Sequence, residues 1–401
     1  MTRGRTRLAP LLHRPGYRWL WTARAVSSVG DVAQFTTLAL LLVALTDSGL
    51  GVSGAVLAEI APVLLLGPLA GSLVDRLPRV RVMIAADLVR MTLAGGLAVW
   101  HDSPPVAYAV AFGLSAGAVF FNPAAASVLP ALVDERELVR ANSGIWSAAV
   151  TAQVIMAPLA GVVAATAGFG PAFALNAASF AVSALLLRGL RVPAALRPVS
   201  VPGPLTHARE GLRALAALPL LRALAVGQLL AALSAGMTSA LLVLLARDRL
   251  GATGGGYGLL LAAIAVGAVT GPALLARVDD ARRLRFVFAP YALRGVVDLL
   301  LAVTTAVPVA AAALVGYGVG TSVGGVTFTS LVQSHVPAEL RGRAFAGFDV
   351  LWQSGRLVSL LLGGLIADAL GIRAVFLLGG ALLVVAAAAG ASLAGRDRVT
   401  G

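Results

Sequence analysis

One face of the first long apolar segment carries side chains that could hold or move a proton. Arg24, Ser27, Ser28, Asp31 and Gln34 recur at spacings of three, four and seven residues, so they share one face of a helix. Asp31 lies near the middle of the segment, where an ionised carboxylate costs about 2.5 to 3.5 kcal/mol on insertion scales. Asp31 is therefore either a proton carrier that faces a cavity or one member of a structural pair.

Two further carboxylates are candidates for the same chemistry. Asp349, Gln353 and Arg356 are four and three residues apart beside Trp352, so their shared helical face is either a structural ion-pair network or part of a cavity wall. Glu59 lies in the outer third of the second apolar segment and is a second proton candidate. The polar residues in mid-segment positions, where a substrate could touch them, are few: Gln34, Asn122, Gln153, Gln228, Thr327, Thr329, Gln353 and Arg356.

The composition indicates that these segments cross a lipid bilayer. Hydrophobic residues make up 59% of the 401 residues, charged residues make up 12%, and the mean hydropathy is +0.90. A hydrocarbon core of about 30 Å needs about 20 apolar residues per helix, and the chain contains many such runs. The chain has no Cys, which excludes disulfides and thiol-ligated metals, and we expect no metal site.

The net charge of +13 comes from arginines, since the chain contains no Lys. These arginines fall mostly in alternate connections between the apolar runs, which is the bias of cytoplasmic loops in membrane proteins. Dispersed loop charges do not form a continuous groove, so we expect no nucleic-acid partner.

Twelve apolar runs predict an all-α integral membrane protein with two pseudo-symmetric bundles of six transmembrane helices. The predicted domains are an N-terminal bundle over 1–190, a cytoplasmic linker over 191–219 and a C-terminal bundle over 220–401. The linker contains an amphipathic helix from His207, which either lies on the membrane surface or is solvated. The predicted spans are 17–46, 52–74, 82–100, 106–130, 141–166, 170–190, 220–246, 254–276, 285–305, 308–332, 344–367 and 372–394.

The first run is interpreted as a span and not as a signal peptide, because it is long and contains Arg24 and Asp31. An even number of spans places both termini on one side of the membrane. The arginine distribution makes that side cytoplasmic.

The two predicted bundles contain the same loop, 204 residues apart. Each copy joins two long apolar segments, an arrangement typical of secondary transporters built from two similar halves. The copies align without a gap, and these pairs are identical: Gly67 and Gly271, Pro68 and Pro272, Asp75 and Asp279, Arg79 and Arg283, Arg81 and Arg285, Arg90 and Arg294.

The first of these loops, GSLVDRLPRVR from Gly71, resembles the signature loop of the major facilitator superfamily. The family pattern is Gly, three residues, Asp, a basic residue, any residue, Gly and then basic residues, and Pro78 here replaces the second Gly. The resemblance implies that this loop helps to lock the cytoplasmic side, although the same arginines could simply enforce topology. The gate residues that it implies are Gly71, Asp75, Arg76, Arg79, Asp279 and Arg283.

Two charge pairs lie on segments that, in this family, usually support the cavity rather than line it. Asp87 and Arg90 are three residues apart on the third segment, and Arg294 and Asp298 are four apart on the ninth. The resemblance therefore implies a structural role. Because both pairs are close to the charged loops, we expect them to extend the loop network.

Other segments resemble the bacterial efflux branch of the superfamily, which exports drugs, macrolides or siderophores. These are RPGYRWLWTARAVSSVGD over 14–31 and NPAAASVLPALVDERELVRANS over 122–143, while Pro158 and Gly161 are similar to remnants of an antiporter motif. The resemblance implies a secondary transporter that exports small amphipathic molecules by proton antiport with alternating access. The residues that would carry the proton are Asp31, Glu59 or Asp349.

Two other functions compete with export. Proton-coupled or facilitated uptake of a small metabolite is the alternative, but it normally demands more convergent polar side chains than the mid-segment positions offer. We expect no enzymatic activity, because no Ser/His/Asp or metal-ligand cluster and no GxxxxGK loop accompanies the spans. The proton gradient would then be the energy source and no cofactor is expected. The expected partners are a small-molecule substrate and the lipid bilayer, for a monomer that crosses the inner (plasma) membrane many times.

Overall fold

The computed structural model describes residues 9–192, 213, 219–275, 288–336 and 338–396, which are almost wholly helical. The helices described before residue 193 are α1 (Ala9–Leu12), α2 (Pro15–Thr46), α3 (Gly49–Arg76), α4 (Arg79–Val99), α5 (Pro104–Val128), α6 (Leu138–Ala167) and α7 (Gly170–Leu187). Those described from residue 219 onward are α8 (Pro219–Ala240), α9 (Leu242–Asp248), α10 (Gly254–Leu275), α11 (Ala289–Val303), α12 (Val307–His335), α13 (Ala338–Leu370) and α14 (Ile372–Arg396).

Eleven of the helices in the described part of the chain are long and apolar enough to cross a membrane. They correspond to eleven of the twelve predicted spans. The predicted ninth span, 285–305, corresponds to α11, which has 15 residues, and the first three residues of that prediction lie outside the described ranges. A helix of that length rises only about 22 Å, which is less than a hydrocarbon core requires.

The predicted seventh span, 220–246, is wrong in one respect, because the helix breaks at Leu241. That residue has φ −95° and ψ 9°, and α9 begins directly after it. Every residue from Leu241 to Ala246 is buried, so this stretch packs on all sides and not along one helical face. The break contains neither Gly nor Pro, and its residues are as apolar as their neighbours. The sequence therefore carries no signal for it.

The chain divides into two compact units. Unit 1 contains Met1–Leu45 and Ala55–Val201, and unit 2 contains Thr46–Gly54 and Pro202–Gly401. Of the predicted linker, 191–219, the structure describes only residues 191, 192, 213 and 219, so its amphipathic helix lies outside the described residues.

Unit 1 is a bundle in which α4 packs against α5 and α7, and α6 packs against α7. The start of α2 is tied to α6 by two aromatic side chains. The Tyr17 hydroxyl donates to the Ala141 carbonyl at 2.9 Å, and the Trp21 indole donates to the Gly144 carbonyl at 3.0 Å. Because Tyr17 and Trp21 flank the first turns of the polar face of α2, these bonds fix the rotation of that helix within the unit.

Unit 2 repeats the same helix pairs with its own helices. Helix α11 packs against α12 and α14, as α4 does against α5 and α7, while α8 packs against α13 and α14 and α10 packs against α12. Its buried core includes Phe348, whose ring meets Phe328 edge-on at a centroid distance of 4.7 Å. The recurrence of these pairs agrees with the internal repeat in the sequence.

The segment Thr46–Gly54, which contains the connection between α2 and α3 and the first residues of α3, belongs to unit 2. There Asp368 caps the start of α3. The Ser48 hydroxyl donates to the Asp368 carboxylate at 2.8 Å, and the backbone N–H groups of Gly49 and Leu50 donate to it at 2.5 and 3.2 Å. These N–H groups would otherwise lack partners in the first turn of the helix.

A second ion pair holds the residue that precedes this cap. Arg247 donates to the Asp47 carboxylate at 2.6 Å, and Asp248 accepts a further bond from the same guanidinium at 2.5 Å, which raises the pKa of Arg247. Asp47 has a φ of 47°, a left-handed conformation that Asp tolerates better than most residues.

Replacing Asp368 with Ala should loosen the start of α3. The loss of a side-chain cap costs about 1 kcal/mol, which corresponds to a roughly fivefold increase in local opening. Hydrogen exchange of the amides from Gly49 to Val52 measures this directly. Asp102→Ala removes a carboxylate from an exposed position of unit 1 and should leave those amides unchanged. Equal exchange in Asp368→Ala and the parent protein would contradict the capping role.

Candidate functional site

A cavity of about 280 Å³ lies inside unit 1. Its walls are formed by helices α2, α3, α4, α5 and α7, and they combine aromatic rings such as Phe35 and Phe180 with a concentrated set of polar groups. Small-molecule sites typically show this mixture of an apolar wall and a few convergent polar side chains. The polar residues of the wall are Asp31, Gln34, Glu59, Arg90, Ser115 and Asn176.

The polar face of α2 supplies the central carboxylate of this wall. Asp31 is exposed to the cavity and accepts a hydrogen bond from the Ser27 hydroxyl at 3.3 Å. Within the described residues it has no ion-pair partner, and the positive charges that act on it are those of Arg90 and Arg24. Arg24 itself donates to the side-chain carbonyl of Asn122 at 2.8 Å. Asp31 therefore lines the cavity, which is one of the two environments that the sequence left open for it.

A buried amide network joins α2 to α7 beside this carboxylate. The side-chain N–H₂ of Asn176 donates to the side-chain oxygen of Gln34. The Ser179 hydroxyl donates to the backbone carbonyl of Asn176 at 2.8 Å and lies 3.2 Å from the side-chain oxygen of Asn176. All three side chains are buried, so each bond orients the next one. The network fixes the directions in which Gln34 and Asn176 present their remaining polar atoms to the cavity.

The amide network depends on the absence of a side chain at Gly30. A Cβ atom there would lie 2.8 Å from the Asn176 Cα, which is backbone and cannot move aside. Gly30→Ala should therefore force α2 from α7 and lower the free energy of unfolding by about 1 to 3 kcal/mol. Thermal unfolding of the purified protein measures this change.

Gly96 in α4 provides the matched control for Gly30. A Cβ atom at Gly96 would meet nothing within 4 Å, so Gly96→Ala should be neutral or stabilise the helix by up to about 1 kcal/mol. A parent-like unfolding midpoint in both variants would mean that α2 and α7 can move apart without a loss of stability.

Glu59 brings the second carboxylate to the same cavity. Its side chain is half-buried and lines the wall, as does Ser115, whose hydroxyl donates to the backbone carbonyl of Glu59 at 2.5 Å. That bond ties α5 to α3 at the level of the carboxylate. Two acidic side chains from separate helices thus converge on one volume.

The expectation that Asp87 and Arg90 support the cavity without lining it is wrong for Arg90. The two side chains form a buried ion pair, with Asp87 fully buried and Arg90 5% exposed. Arg90 nevertheless lines the cavity. Its guanidinium carbon lies 4.7 Å from the ring centroid of Phe121 and 4.3 Å from that of Phe180, so aromatic rings hold the cation at the wall.

Unit 2 contains a second buried arginine in the repeated position. Arg294 is 7% exposed, donates to the Tyr317 hydroxyl at 2.8 Å and lies 4.7 Å from the centroid of that ring. The aliphatic part of each arginine side chain packs directly against a glycine. A Cβ atom at Gly117 would lie 2.7 Å from the Arg90 Cγ, and one at Gly320 would lie 2.9 Å from the Arg294 Cγ. The sequence repeat thus places the same packing in each unit, although the partners of the guanidinium groups differ.

Most of the polar residues predicted for the substrate cavity do not line the cavity of unit 1. Gln34 lines the cavity of unit 1, whereas Asn122 is exposed and Gln153 half-buried on other parts of that unit. In unit 2, Gln228 accepts a bond from the Tyr291 hydroxyl at 3.1 Å, and the Thr327 hydroxyl donates to a carbonyl of its own helix. The remaining predicted residues lie on α13, with Asp349 exposed and with Gln353 and Arg356 half-buried.

The predicted gate residues lie at the end of α3, at the start of α4 and in the second loop. Arg76 is exposed and Arg79 is half-buried. The side chain of Asp75, the surroundings of Gly71 and the whole of Asp279 and Arg283 lie outside the described residues.

Another charged cluster, which the sequence patterns did not single out, ties the start of α2 to the turn before α6. Arg14 contacts Asp134 at 2.6 Å and Glu137 at 2.8 Å, and this guanidinium holds the pKa of Asp134 below its usual range. In the described part of the chain, no three His, Asp or Glu residues are grouped closely enough to hold a metal ion.

Comparison with known proteins relates the chain to membrane transporters. A family model of the Major Facilitator Superfamily matches residues 20–359 and 224–400. The "Uncharacterized MFS-type transporter YfiS" of Bacillus subtilis (strain 168) is 26% identical over 384 residues, which are 93% of this chain and 92% of that protein. "Macrolide efflux protein A" of Streptococcus pyogenes is 24% identical over 379 residues, which are 91% of this chain and 92% of that protein.

The fold is similar to solved transporter structures. A bacterial homologue of the iron transporter ferroportin, in an inward-facing state, aligns with a TM-score of 0.74 at 19% identity over 96% of this chain and 99% of that chain. The nucleoside transporter NupG aligns with a TM-score of 0.77 at 13% identity over 94% of this chain and 99% of that chain. At such identities the likeness concerns the fold alone.

Proposed function

Because the chain belongs to the Major Facilitator Superfamily, it is a multi-span membrane transporter of small molecules rather than an enzyme, and we propose that it exports amphipathic compounds in exchange for protons. The observation that carries this proposal is the cavity of unit 1, where Asp31 is accessible and lacks an ion-pair partner among the described residues. A carboxylate in an apolar segment is costly unless it faces a polar cavity, pairs with a cation or takes up a proton.

Asp31 would alternate between a proton and the substrate. When the cavity is open to the outside, a proton neutralises the carboxylate and weakens the attraction for a cationic substrate, which then leaves. When the cavity is open to the cytoplasm, the proton departs and the carboxylate attracts the next substrate. Glu59 lines the same cavity and would add to the negative field or hold a second proton. Proton and substrate thus compete for one charge, which couples their movements in opposite directions.

The walls of the cavity favour a substrate with an apolar body and a positively charged end. Phe35, Leu114 and Phe180 form the apolar surface, while Asp31 and Glu59 supply negative charge. Drug-sized ligands usually occupy about 300 to 1,000 Å³, so a cavity of about 280 Å³ in unit 1 holds only part of such a molecule. The similarity to a protein named for macrolide efflux agrees with export of a compound of this kind.

The transporter as proposed has twelve spans in two bundles of six, 1–190 and 220–401, joined by the linker 191–219. It is a monomer in the bacterial plasma membrane with both termini in the cytoplasm and without a cofactor. The two charged loops act as the cytoplasmic gate, where exposed arginines such as Arg76 can pair and separate at low cost, because ion pairs near solvent contribute only about 0 to 1 kcal/mol.

Uptake of a small polar metabolite is the second candidate function, and one observation favours it. The cavity wall holds Arg90, Ser115 and Asn176 in addition to the polar residues expected from the sequence. Such a set can satisfy several hydrogen bonds of a polar solute. Against it, the guanidinium of Arg90 is already paired with Asp87 and faced by two aromatic rings, which leaves the acidic groups dominant.

Transport assays in both directions test the proposal. Cells that express the chain are loaded with a panel of fluorescent compounds of similar size that are cationic, neutral or anionic, and efflux is followed with and without a protonophore. We expect energy-dependent efflux of cationic amphipathic compounds that stops when the protonophore is added. Reconstituted vesicles with an imposed pH gradient then separate proton coupling from other energy sources. Efflux that persists without a proton gradient, or accumulation in place of efflux, would overturn proton-driven export.

A further inference from the structure

The cavity wall of unit 1 carries more negative than positive charge. Asp31 and Glu59 line the cavity, Asp87 lies behind the wall, and Arg90 is the cation that lines it. Arg24, the other cation that acts on Asp31, is hydrogen-bonded to an amide of α5. Helices α5 and α7 contain no charged residue. The negative charges of Asp31 and Asp87 are therefore compensated mainly by Arg90. One positive charge cannot balance both carboxylates.

Asp87 holds this arginine in an ion pair. The ion pair between Asp87 and Arg90 is buried, and the second oxygen of the Asp87 carboxylate accepts a bond from the Ser183 hydroxyl at 2.7 Å. Phe121 and Phe180 face the guanidinium. The Arg90 Nε–H has no hydrogen-bond partner among the described residues, so the guanidinium retains a donor for another acceptor.

The proton affinity of Asp31 depends on which carboxylate pairs with Arg90, that of Asp87 or that of Asp31. A carboxylate next to an arginine resists protonation, because the ion pair stabilises its charged form. If Arg90 were free to pair with Asp31, Asp31 would remain ionised over most of the physiological pH range and would be a poor proton carrier. While Asp87 holds Arg90, Asp31 feels the arginine only as a field within the same cavity wall.

We infer that Asp87 is a positioning residue that reserves Arg90 and so leaves Asp31 free to bind and release a proton. This inference rests on the proposed role of Asp31 as the proton carrier. Asp87 is fully buried and does not line the cavity; it acts through the arginine. It also gives a function to a charge pair for which the family resemblance implies a structural role.

Carbodiimide labelling of Asp31 measures its protonation directly. Dicyclohexylcarbodiimide adds to a protonated carboxyl in an apolar site and rearranges to a stable N-acylurea with no leaving group, and mass spectrometry of the purified full-length protein locates the adduct. Labelling of Asp31 is followed against pH in the parent and in Asp87→Asn, which keeps the shape and removes the charge. We expect the midpoint of labelling to fall by about one pH unit in the variant, a roughly tenfold change in proton affinity, because the released Arg90 pairs with Asp31.

Asp298→Asn is the matched control in unit 2. Asp298 is a buried aspartate near Arg294 that accepts a bond from the Ser234 hydroxyl at 3.4 Å, so the substitution removes the same charge from a similar setting. It should leave the labelling midpoint of Asp31 unchanged. An unchanged or raised midpoint in Asp87→Asn, or equal shifts in both variants, would overturn the inference.

A neutral double variant tests the same point if Asp87→Asn folds poorly. Asp87→Asn combined with Arg90→Gln removes both charges of the pair, so no unpaired charge is left buried. The midpoint of Asp31 labelling should then rise above that of the parent, because the field of Arg90 is lost. A parent-like midpoint in the double variant would show that Arg90 does not control Asp31.

The labelling separates this inference from the proposed function. Transport without proton dependence, together with the expected shifts in labelling, would overturn proton antiport and leave the link between Asp87, Arg90 and Asp31 intact. Proton-coupled transport that requires Asp31, together with unchanged labelling in both Asp87 variants, would overturn the inference alone.

Discussion

Replacing Asp31 with Asn should abolish proton-driven transport. The amide has the shape of the carboxylic acid but can neither release a proton nor attract a cation, so the variant is held in the state that corresponds to protonated Asp31. We expect the initial rate of substrate accumulation in everted vesicles to fall about tenfold or more, to the level of vesicles without the protein. The measurement uses a compound from the cationic panel and an imposed pH gradient.

Two control variants test whether a loss of transport is specific to Asp31. Asp102→Asn alters an exposed carboxylate in the turn before α5, and Asp134→Asn alters a carboxylate in the turn before α6; neither lines the cavity of unit 1. Both should transport at close to the parent rate. Parent-like, protonophore-sensitive transport by Asp31→Asn would remove Asp31 from the coupling mechanism. Glu59, which lines the same cavity, would then be the next carboxylate to replace.

The helical period explains why the polar face of α2 could be predicted from sequence. Polar residues spaced three, four and seven apart in an apolar segment must share one face, and a membrane-embedded helix turns such a face away from lipid. Asp31 and Gln34 accordingly line the cavity. Glu59 was singled out on a simpler ground, as an acidic residue within a span, and it lines the same cavity. These predictions required only the properties of one helix at a time.

Residues whose role depends on several helices were harder to predict. Arg90 reaches the cavity because α4 packs between α5 and α7, and no local pattern specifies that packing. Asn176 was missed for a different reason, since the spacing of three and four that links Asn176, Ser179 and Ser183 is the same signal that identified α2. A search for polar faces on every span would have found it.

The cap on α3 also lay beyond the reach of sequence patterns. Ser48 alone predicts an ordinary helix start, whereas the acceptor of its hydroxyl and of two backbone N–H groups is Asp368, on α13. A carboxylate that is 320 residues away in sequence carries no local signature. The same holds for Asp47 and Arg247, whose pairing holds the residue with the left-handed conformation.

Replacing Arg90 with Gln should destabilise unit 1 strongly. The substitution leaves the Asp87 carboxylate fully buried with Ser183 as a hydrogen-bond donor but with no cation in contact. Breaking a buried ion pair by removal of one partner costs about 3 to 5 kcal/mol, and the contacts of the guanidinium with Phe121 and Phe180 are lost as well. Thermal unfolding of the purified protein should show a large fall in the midpoint.

Asp87→Asn and Arg90→Gln should destabilise the protein to different extents. Asp87→Asn leaves Arg90 beside Asp31, which can accept the released guanidinium, whereas Arg90→Gln leaves Asp87 without any alternative cation. We therefore expect a smaller fall in the unfolding midpoint for Asp87→Asn than for Arg90→Gln, and recovery in the double variant, where neither charge remains. Arg14→Gln, which breaks a solvent-exposed pair, should change the midpoint little. Equal losses for the two single variants would mean that Arg90 has no second acceptor in the cavity wall.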